Sequence, residues 1–424
     1  MNQPLSRYVD YMYSYPHKTA YRPFPAPVSL LPYLEQLQGR QASLYFHIPF
    51  CSHKCGYCNL FSLQTNRTEY IATYLDTLHR QAQQLSPLTA GLTFDSFAIG
   101  GGTPLLLTVP QLEQLMATAA LFGVHPSHAF TSVETSPEYA DRPRLNVLKK
   151  AGVSRVSIGI QSFQDEELKA IKRRPRQNTI YQALDDIRQM DFPYFNIDLI
   201  YGIKGQTVES FLYSLEEALR FQPNELFIYP LYVRQGTGIT EREPDDVCFR
   251  MYRAACKLLQ AKGFLQTSMR RFIHHPSTDA EVSCGDEVML SCGSGGRSYL
   301  GDLHYATRYT VCQQCIAREI DEYMATTDFT VARNGFILSA KEQQQRFIIK
   351  NLMYYMGIDK AEYTRRFGEP LDRTPLFRQL AEQYWIEETP ERIRLTPEGL
   401  GYSDYIGQLF ITPEIRQLME TYSY

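Results

Sequence analysis

The sequence predicts an α/β fold: a partial (βα)6 barrel, open on one side, followed by a mainly helical C-terminal domain with a winged-helix outline. Three observations carry this reading. From about residue 43, six short β-branched or aromatic runs alternate with longer amphipathic ones. The short runs are apolar on both faces, as in SLYFHIPF and FNIDLIYG. After Gly236 the alternation stops, and an irregular stretch rich in Ser, Gly and His gives way to helical patterns. Repeated βα units imply a parallel sheet. Strands apolar on both sides fit a sheet covered by helices on one face and enclosing something on the other.

The strands are expected at Ser43–Pro49, Thr93–Ile99, Phe130–Glu134, Arg155–Gln161, Tyr194–Ile200 and Glu225–Pro230. Between them the apolar positions recur at helical spacing over Glu69–Leu85, Val109–Leu121, Arg144–Ala151, Asn178–Met190 and Val208–Phe221. A further helix is expected at Asp246–Ala261, then an irregular segment that includes Cys292-Gly-Ser-Gly-Gly-Arg-Ser-Tyr299. Helices at Ala340–Met356 and Pro375–Gln383 and a hairpin at Ile386–Leu395 complete the winged-helix outline. The pattern divides the chain into an N-terminal extension (1–40), the barrel (41–236), a barrel extension facing the substrate (237–335) and the C-terminal helical domain (336–424).

Charge narrows the partners. The 43 basic and 46 acidic residues nearly cancel and form no long like-charged run, so no nucleic-acid partner is expected even for the winged-helix outline. The N-terminus lacks an apolar core segment and no apolar stretch reaches about 18 residues, so a cytoplasmic protein without a membrane span is expected. Nine cysteines is an odd count, and three of them fall within eight positions. In a chain too large to need disulfide staples, that usage reads as metal binding in a reducing compartment.

Those three are Cys51, Cys55 and Cys58, in a loop leaving the first strand. Three soft thiolates at spacings of four and three can wrap one cubane, and thiolates select Fe–S clusters or zinc. A closed zinc site would want a fourth ligand, for which His53 inside the loop is the candidate. Without it, one iron keeps an open position, as a cluster needs if it is to chelate a substrate molecule. Gly100-Gly-Gly-Thr-Pro104 follows the second strand, and consecutive glycines let backbone approach a ligand closely. No Gly-Lys-Ser/Thr follows it, so it is not a phosphate loop. Glu134, Gln161 and Asp198 stand at strand C-termini, the edge on which parallel α/β folds build their sites. Taken singly, each reads as a surface group or strand-end hydrogen bonder, and Glu134 also as a helix cap.

The run Leu44-Tyr-Phe-His-Ile-Pro-Phe-Cys51, with Cys55-Gly-Tyr-Cys58, resembles the radical S-adenosylmethionine (SAM) superfamily, and within it the oxygen-independent coproporphyrinogen III oxidase-like family. The resemblance implies a TIM-like partial barrel, a 4Fe–4S cluster on Cys51, Cys55 and Cys58, and SAM on the open iron. It implies reductive cleavage of SAM to a 5′-deoxyadenosyl radical, with an electron donor such as flavodoxin or ferredoxin. It places the SAM amino group against Gly101, Gly102 and Thr103, the ribose on Glu134, and further contacts at Gln161, Arg173 and Asp198. Arg173 could pair the SAM carboxylate, since a guanidinium suits that planar bidentate contact. Tyr45, Tyr57 and Tyr232 carry over as contacts or as core packing.

The match departs where the true oxidase carries a cysteine two positions beyond the third, for here stands Leu60. The chain is nearer to the branch of haem chaperones and haem-degrading methyltransferases. The chaperone's haem motif is matched only at His304 in His304-Tyr-Ala-Thr-Arg-Tyr309 and is not transferred. Cys312-Gln-Gln-Cys315, with Cys284 and Cys292, reads as incidental thiols or as an auxiliary metal or redox site. His274-His275 and His304 read as packed histidines or axial haem ligands. Tyr11-Met-Tyr-Ser-Tyr-Pro-His17 resembles the segment that precedes the oxidase barrel. The expected function is an enzyme that generates a radical from SAM to act on a tetrapyrrole or another bulky substrate. A haem-binding chaperone, and an anaerobic coproporphyrinogen III decarboxylase, are the alternatives.

Overall fold

The computed structural model describes residues 6–9, 14–124, 128–174, 176–274, 288–371 and 375–423. Tyr11, Met12 and Tyr13 of the N-terminal aromatic motif, His275 and Cys284 lie outside the described residues. One 13-stranded sheet runs through the molecule. After β1 (Arg22–Ser29), its middle is a parallel run of β2 (Gln41–Ile48), β3 (Thr93–Gly101), β4 (Phe130–Thr135), β5 (Arg155–Gln161), β6 (Tyr194–Tyr201) and β7 (Glu225–Pro230), side by side in that order. Each ends within two residues of the run that predicts it. These strands form because both faces are buried: Leu44 and Phe46 on one face of β2 with Ser43 and His47 on the other, and Ile197 and Leu199 on one face of β6 with Asn196 and Ile200 on the other, are all covered.

The crossover helices are α1 (Thr68–Leu85), α2 (Val109–Ala120), α3 (Arg142–Lys150), α4 (Gln177–Met190) and α5 (Val208–Leu219). Their starts are written in the sequence. Asp141 caps α3 by accepting from the Arg144 N–H at 3.1 Å, and Thr207 and Ser210 form a reciprocal capping box on α5. Beyond α6 (Asp245–Ala261) comes the main departure from expectation. The segment around Cys292–Tyr299, expected to be irregular, is a hairpin of β8 (Val288–Cys292) and β9 (Arg297–Leu300). β8 lies parallel to β2, with Leu290 opposite Leu44, and so adds a seventh parallel strand. Its five residues are all buried, which holds a short strand that neither length nor periodicity announces. The glycines at 293, 295 and 296 make the turn, and Gly293 at φ +99° stands where a Cβ would meet the His47 carbonyl oxygen at 2.5 Å.

Antiparallel strands β10 (Leu303–Ala306) and β11 (Val331–Ile337) then lead to β1. On the other edge Arg271–Ile273 pairs with β7. β7 and β8, the outer members of the parallel run, are not neighbours, so the barrel is partial and open. Among the described residues no helix is long and apolar enough to cross a membrane.

Two hydrophobic cores result. The larger lies between the sheet and its helices. The smaller gathers Phe347, Ile349, Leu352, Ile358, Leu380 and Ile406 under α8 (Ala340–Leu352), later short helices and a three-stranded sheet of Ile358–Asp359, Arg392–Leu395 and Ile386–Glu388. Tyr15 and Ala20 from the N-terminal segment join this second core, and the Tyr15 hydroxyl donates to Glu342 on α8. α8 stops at Leu352, short of the expected Met356, because the Tyr355 N–H bonds the Thr267 carbonyl at 2.8 Å and Gly357 turns at φ +71°.

The two cores are joined by a buried ion pair. Arg270 Nη2 reaches both carboxylate oxygens of Asp404, at 2.5 and 2.6 Å, and the Tyr232 hydroxyl lies against both side chains. The side chains of Arg270 and Asp404 are only 5% and 1% exposed. Removing one partner of such a pair strands the other charge, so Asp404→Ala should cost about 3–5 kcal/mol. Equilibrium urea unfolding checks this; an unchanged midpoint would show that the pair does not hold the C-terminal unit to the sheet.

Candidate functional site

The first parallel strand ends in Tyr45-Phe-His-Ile48, and its side chains organise the cysteine loop beyond it. The His47 ring is buried, and burial pushes it down to about 4, so it is neutral. Its Nε2–H donates to the Phe61 carbonyl at 2.9 Å, which leaves Nδ1 to accept from the Tyr45 hydroxyl at 3.1 Å. Phe61 is where the cysteine loop returns, so the histidine pins both ends of that loop to the strand that launches it. The backbone closes the same ring: Phe50–Cys51 pairs in parallel with Leu63–Gln64, and the Thr65 N–H bonds the Cys51 carbonyl at 3.0 Å.

Cys51, Cys55 and Cys58 all face one cavity of about 1380 Å³ at the C-terminal ends of the parallel strands. Burial is the main cause raising the Cys51 thiol, to about 12, and the Cys55 thiol as well, and the neighbouring thiols add to it. Thiolates at Cys51 and Cys55 that burial and repulsion disfavour, with the Cys58 thiol facing the same space, are a donor set in want of a cationic centre, and the three fit an iron–sulfur cluster. The ring of His53 does not complete them through Nε2, which lies 2.7 Å from the Lys172 carbonyl and donates to it. The loop is anchored on its far side too: the Gly56 N–H bonds the Ile171 carbonyl at 2.9 Å and the Gly56 carbonyl accepts from Gly238 at 2.6 Å.

Gly101, Gly102 and Thr103 line the cavity beside the cysteines. The reason for glycine here is the protein itself as much as a ligand. A Cβ on Gly102 would stand 2.4 Å from the Phe50 carbonyl oxygen, and one on Gly100 would meet Glu134 Oε2 at 2.8 Å. The turn is thus pressed against the cysteine loop, and Thr103 Oγ1 donates to the Cys51 sulfur at 3.6 Å.

Glu134, Gln161 and Asp198, expected at strand ends, all line this cavity. Glu134 accepts from the Gly101 N–H at 3.3 Å. Its surroundings, with the Asp198 charge adding, push its carboxyl up to about 7, while its side chain stays open to the cavity. Burial likewise raises Asp198 to about 6, against the Asn196 amide that donates to it at 2.7 Å. Gln161 sits at φ 73°, an uncommon conformation for a side chain, beside a break in the β5–β6 register. Arg173 keeps its charge: the anionic groups around it outweigh its desolvation. Its Nη1 donates to the Gly159 carbonyl at 2.7 Å, so a bound carboxylate would be met by its other nitrogens. Tyr45, Tyr57 and Tyr232 also line the cavity, with the Tyr232 hydroxyl engaged by Asp404 and Arg270.

Other sequence candidates are not brought to the cavity. Cys292 is fully buried and His304 lies at 0% exposure in β10, against the Tyr299 ring. His274 packs edge-on to Phe264. Sequence reasoning missed His17, Lys18, Arg297 and Lys350, which line the same cavity from the N-terminal segment, β9 and α8. Only the long-range packing of those segments on the barrel's mouth reveals them.

A model of the radical SAM superfamily matches residues 45–218, and one of the HemN C-terminal domain matches residues 338–401. The chain is 31% identical over 394 residues to the oxygen-independent coproporphyrinogen III oxidase of Salmonella typhimurium, covering 85% of this chain and 83% of that protein. It is 27% identical over 386 residues to the heme chaperone HemW of Bacillus subtilis, covering 87% of this chain and 100% of that one. Its fold matches that of coproporphyrinogen III oxidase (HemN) from Escherichia coli, a radical SAM enzyme, with a TM-score of 0.81 at 22% identity, over 94% of this chain and 96% of the other.

His47→Leu strips the Phe61 carbonyl of its donor inside the protein. Such a loss costs about 1–3 kcal/mol. A urea midpoint equal to that of the wild type would show that the ring does not hold the loop.

Proposed function

Since the chain belongs to the oxygen-independent coproporphyrinogen III oxidase-like family of radical SAM enzymes, whose cofactors are a 4Fe–4S cluster and SAM, we propose that it acts on a tetrapyrrole in the cavity described above. The observation that carries this is the cavity's size and charge. At about 1380 Å³ it exceeds the usual range of roughly 300–1,000 Å³ for one small molecule, as a cavity shared by the cluster, SAM and a substrate must. Lys18, Arg174, Arg234, Arg297 and Lys350 line it, which suits a broad substrate bearing several carboxylates.

In this reading Cys51, Cys55 and Cys58 hold the cluster and leave one iron for SAM. When bound, the pair supplies one-electron cleavage of the SAM sulfonium to a 5′-deoxyadenosyl radical, the electron coming from a donor such as flavodoxin or ferredoxin. The chain's own residues bind and orient. Glu134 accepts from the ribose hydroxyls, Arg173 meets the SAM carboxylate, and the backbone of Gly101, Gly102 and Thr103 receives its amino group. Gln161, Asp198, Tyr45 and Tyr57 complete the walls, and Tyr232 closes them from the side of the C-terminal unit.

A second reading, a haem-binding chaperone, is favoured by the full-length similarity to the Bacillus subtilis protein. The decarboxylase reading is weakened at Leu60, which stands on the cavity wall, 42% exposed, where the oxidase resemblance calls for a thiol. An apolar side chain can neither donate a proton nor ligate.

Anaerobically reconstituted protein, supplied with dithionite and SAM, should consume haem or a related tetrapyrrole in step with SAM and leave coproporphyrinogen unchanged. Stoichiometric haem binding without any change in the haem would support the chaperone reading, and protoporphyrin formed in step with SAM would restore the oxidase.

Cys55→Ala should lose the cluster's visible absorption, because two thiolates do not retain the cubane. A full complement of iron and sulfide in that variant would overturn the ligand assignment.

Glu134 makes a pH prediction. Only its ionised form accepts both ribose hydrogen bonds, and its carboxyl is raised to about 7, so SAM affinity should strengthen as pH climbs through about 7 and weaken below it. Glu134→Gln should lower affinity by about 1.5–3 kcal/mol at high pH, the range for a charge-assisted bond, and flatten the dependence. Calorimetric titration across pH checks both; a wild-type curve as flat as the variant's would contradict the ribose role.

A further inference from the structure

Helix α7 (Gln313–Ala325), absent from the sequence expectation, begins at a pair of thiols. Cys312 is its N-cap, with extended backbone at φ −69° and ψ 123°, and Cys315 lies in its first turn. Both thiols are reduced, Cys312 is exposed and Cys315 partly so. Cys315 stands three residues on from the cap, in the same first turn, and Arg318, one turn along, adds positive charge beside the two.

The pair abuts the cysteine loop. Between the two thiols, Gln313 clamps the loop's return: its Nε2 donates to the Ser62 carbonyl at 2.9 Å and its Oε1 accepts from the Gln64 N–H at 2.8 Å. Lys54, inside the loop, donates to the Val311 carbonyl at 3.2 Å, one residue before Cys312.

We propose that Cys312 and Cys315 are a redox-active dithiol that exchanges with external disulfides and sits against the outer wall of the cysteine loop. A helix N-terminus and a cation favour the thiolate of its exposed cysteine, and the second thiol three residues on is placed to resolve a mixed disulfide. The direction of the shifts agrees: the neighbouring Cys315 holds the Cys312 thiol below its ordinary range, and Cys312 in turn raises Cys315. The Cys312 thiolate attacks a disulfide RSSR, breaking its S–S bond, forming a mixed disulfide and releasing one thiol. Cys315 then loses its proton, attacks the Cys312 sulfur and expels the second thiol. Two protein thiols are oxidised to one disulfide, RSSR is reduced to two RSH, and the protons pass to those products. Closing that bond redraws the turn that carries Gln313, so the state of the pair is felt where the cysteine loop re-enters the fold.

The test uses the cluster-loaded full chain, equilibrated anaerobically with mixtures of reduced and oxidised glutathione, then alkylated and peptide-mapped. The expected result is one transition from two alkylated thiols to a 312–315 disulfide while the cluster's visible absorption persists. Cys315→Ser should trap glutathione on Cys312, and Cys312→Ser should slow its uptake at this peptide at least tenfold. If the wild type forms no 312–315 disulfide in excess oxidised glutathione, or if Cys312→Ser takes up glutathione at Cys315 as fast as the wild type reacts, the proposal is wrong.

Discussion

Two backbone hydrogen bonds set the geometry on which the site depends. The Gly102 N–H bonds the Ile48 carbonyl and the Thr103 N–H bonds the Phe50 carbonyl, both at 2.8 Å. They weld the exit of the first parallel strand to the glycine turn after the second, so the cysteine loop and the Gly-Gly-Gly-Thr turn move as one piece. The need for glycine arises from this weld, since a Cβ at Gly101 would stand 2.9 Å from the His47 ring and one at Gly102 would collide with Phe50. A site for a cluster and its ligand needs its two halves held at fixed separation, and main-chain bonds between adjacent strand ends supply that rigidity.

Around this seam the parallel sheet sets the order of the remaining polar groups. Glu134 is the last residue but one of the third strand of the run, Gln161 ends the fourth, and Asp198 lies in the fifth, and all three side chains line the cavity. Burial shapes their chemistry. The Asp198 charge adds to Glu134's difficulty in ionising, and burial with the Glu225 charge raises Asp198 in turn, which marks this wall as built for a ligand that brings donors to it. Basic residues from other parts of the chain, Lys18, Arg297 and Lys350, line the same cavity, with the Arg270–Asp404 pair fixing how the C-terminal unit meets the barrel.

Much of this architecture is legible in the sequence, for physical reasons. The six strands and five helices announce themselves because burial on both faces gives unbroken apolar runs and burial on one face gives helical periodicity. The three cysteines, Glu134, Gln161 and Asp198 stand at strand ends or in the loop just beyond, and a parallel sheet carries that edge to one place. What escapes is short or long-range. β8 to β10 hold four or five residues each and owe their form to pairing, β8 with β2 and β9 and β10 each with the strand before it, and α7 starts without a side-chain hydrogen-bonded cap. The glycine turn reads in the sequence as an approach to a ligand, and only the fold shows its packing against His47 and Phe50. Lys18, Arg297 and Lys350 have no local signal, since only tertiary packing brings the N-terminal segment, β9 and α8 to the cavity.

The central claim is that three cysteines on one welded loop hold a four-iron cluster with a single open iron that SAM occupies. Mössbauer spectroscopy of the iron-57-reconstituted chain, before and after adding SAM, tests it most directly. The account predicts that one iron of the four changes its isomer shift on addition of SAM while the other three stay as they were. Four equivalent irons, unmoved by SAM, would contradict it.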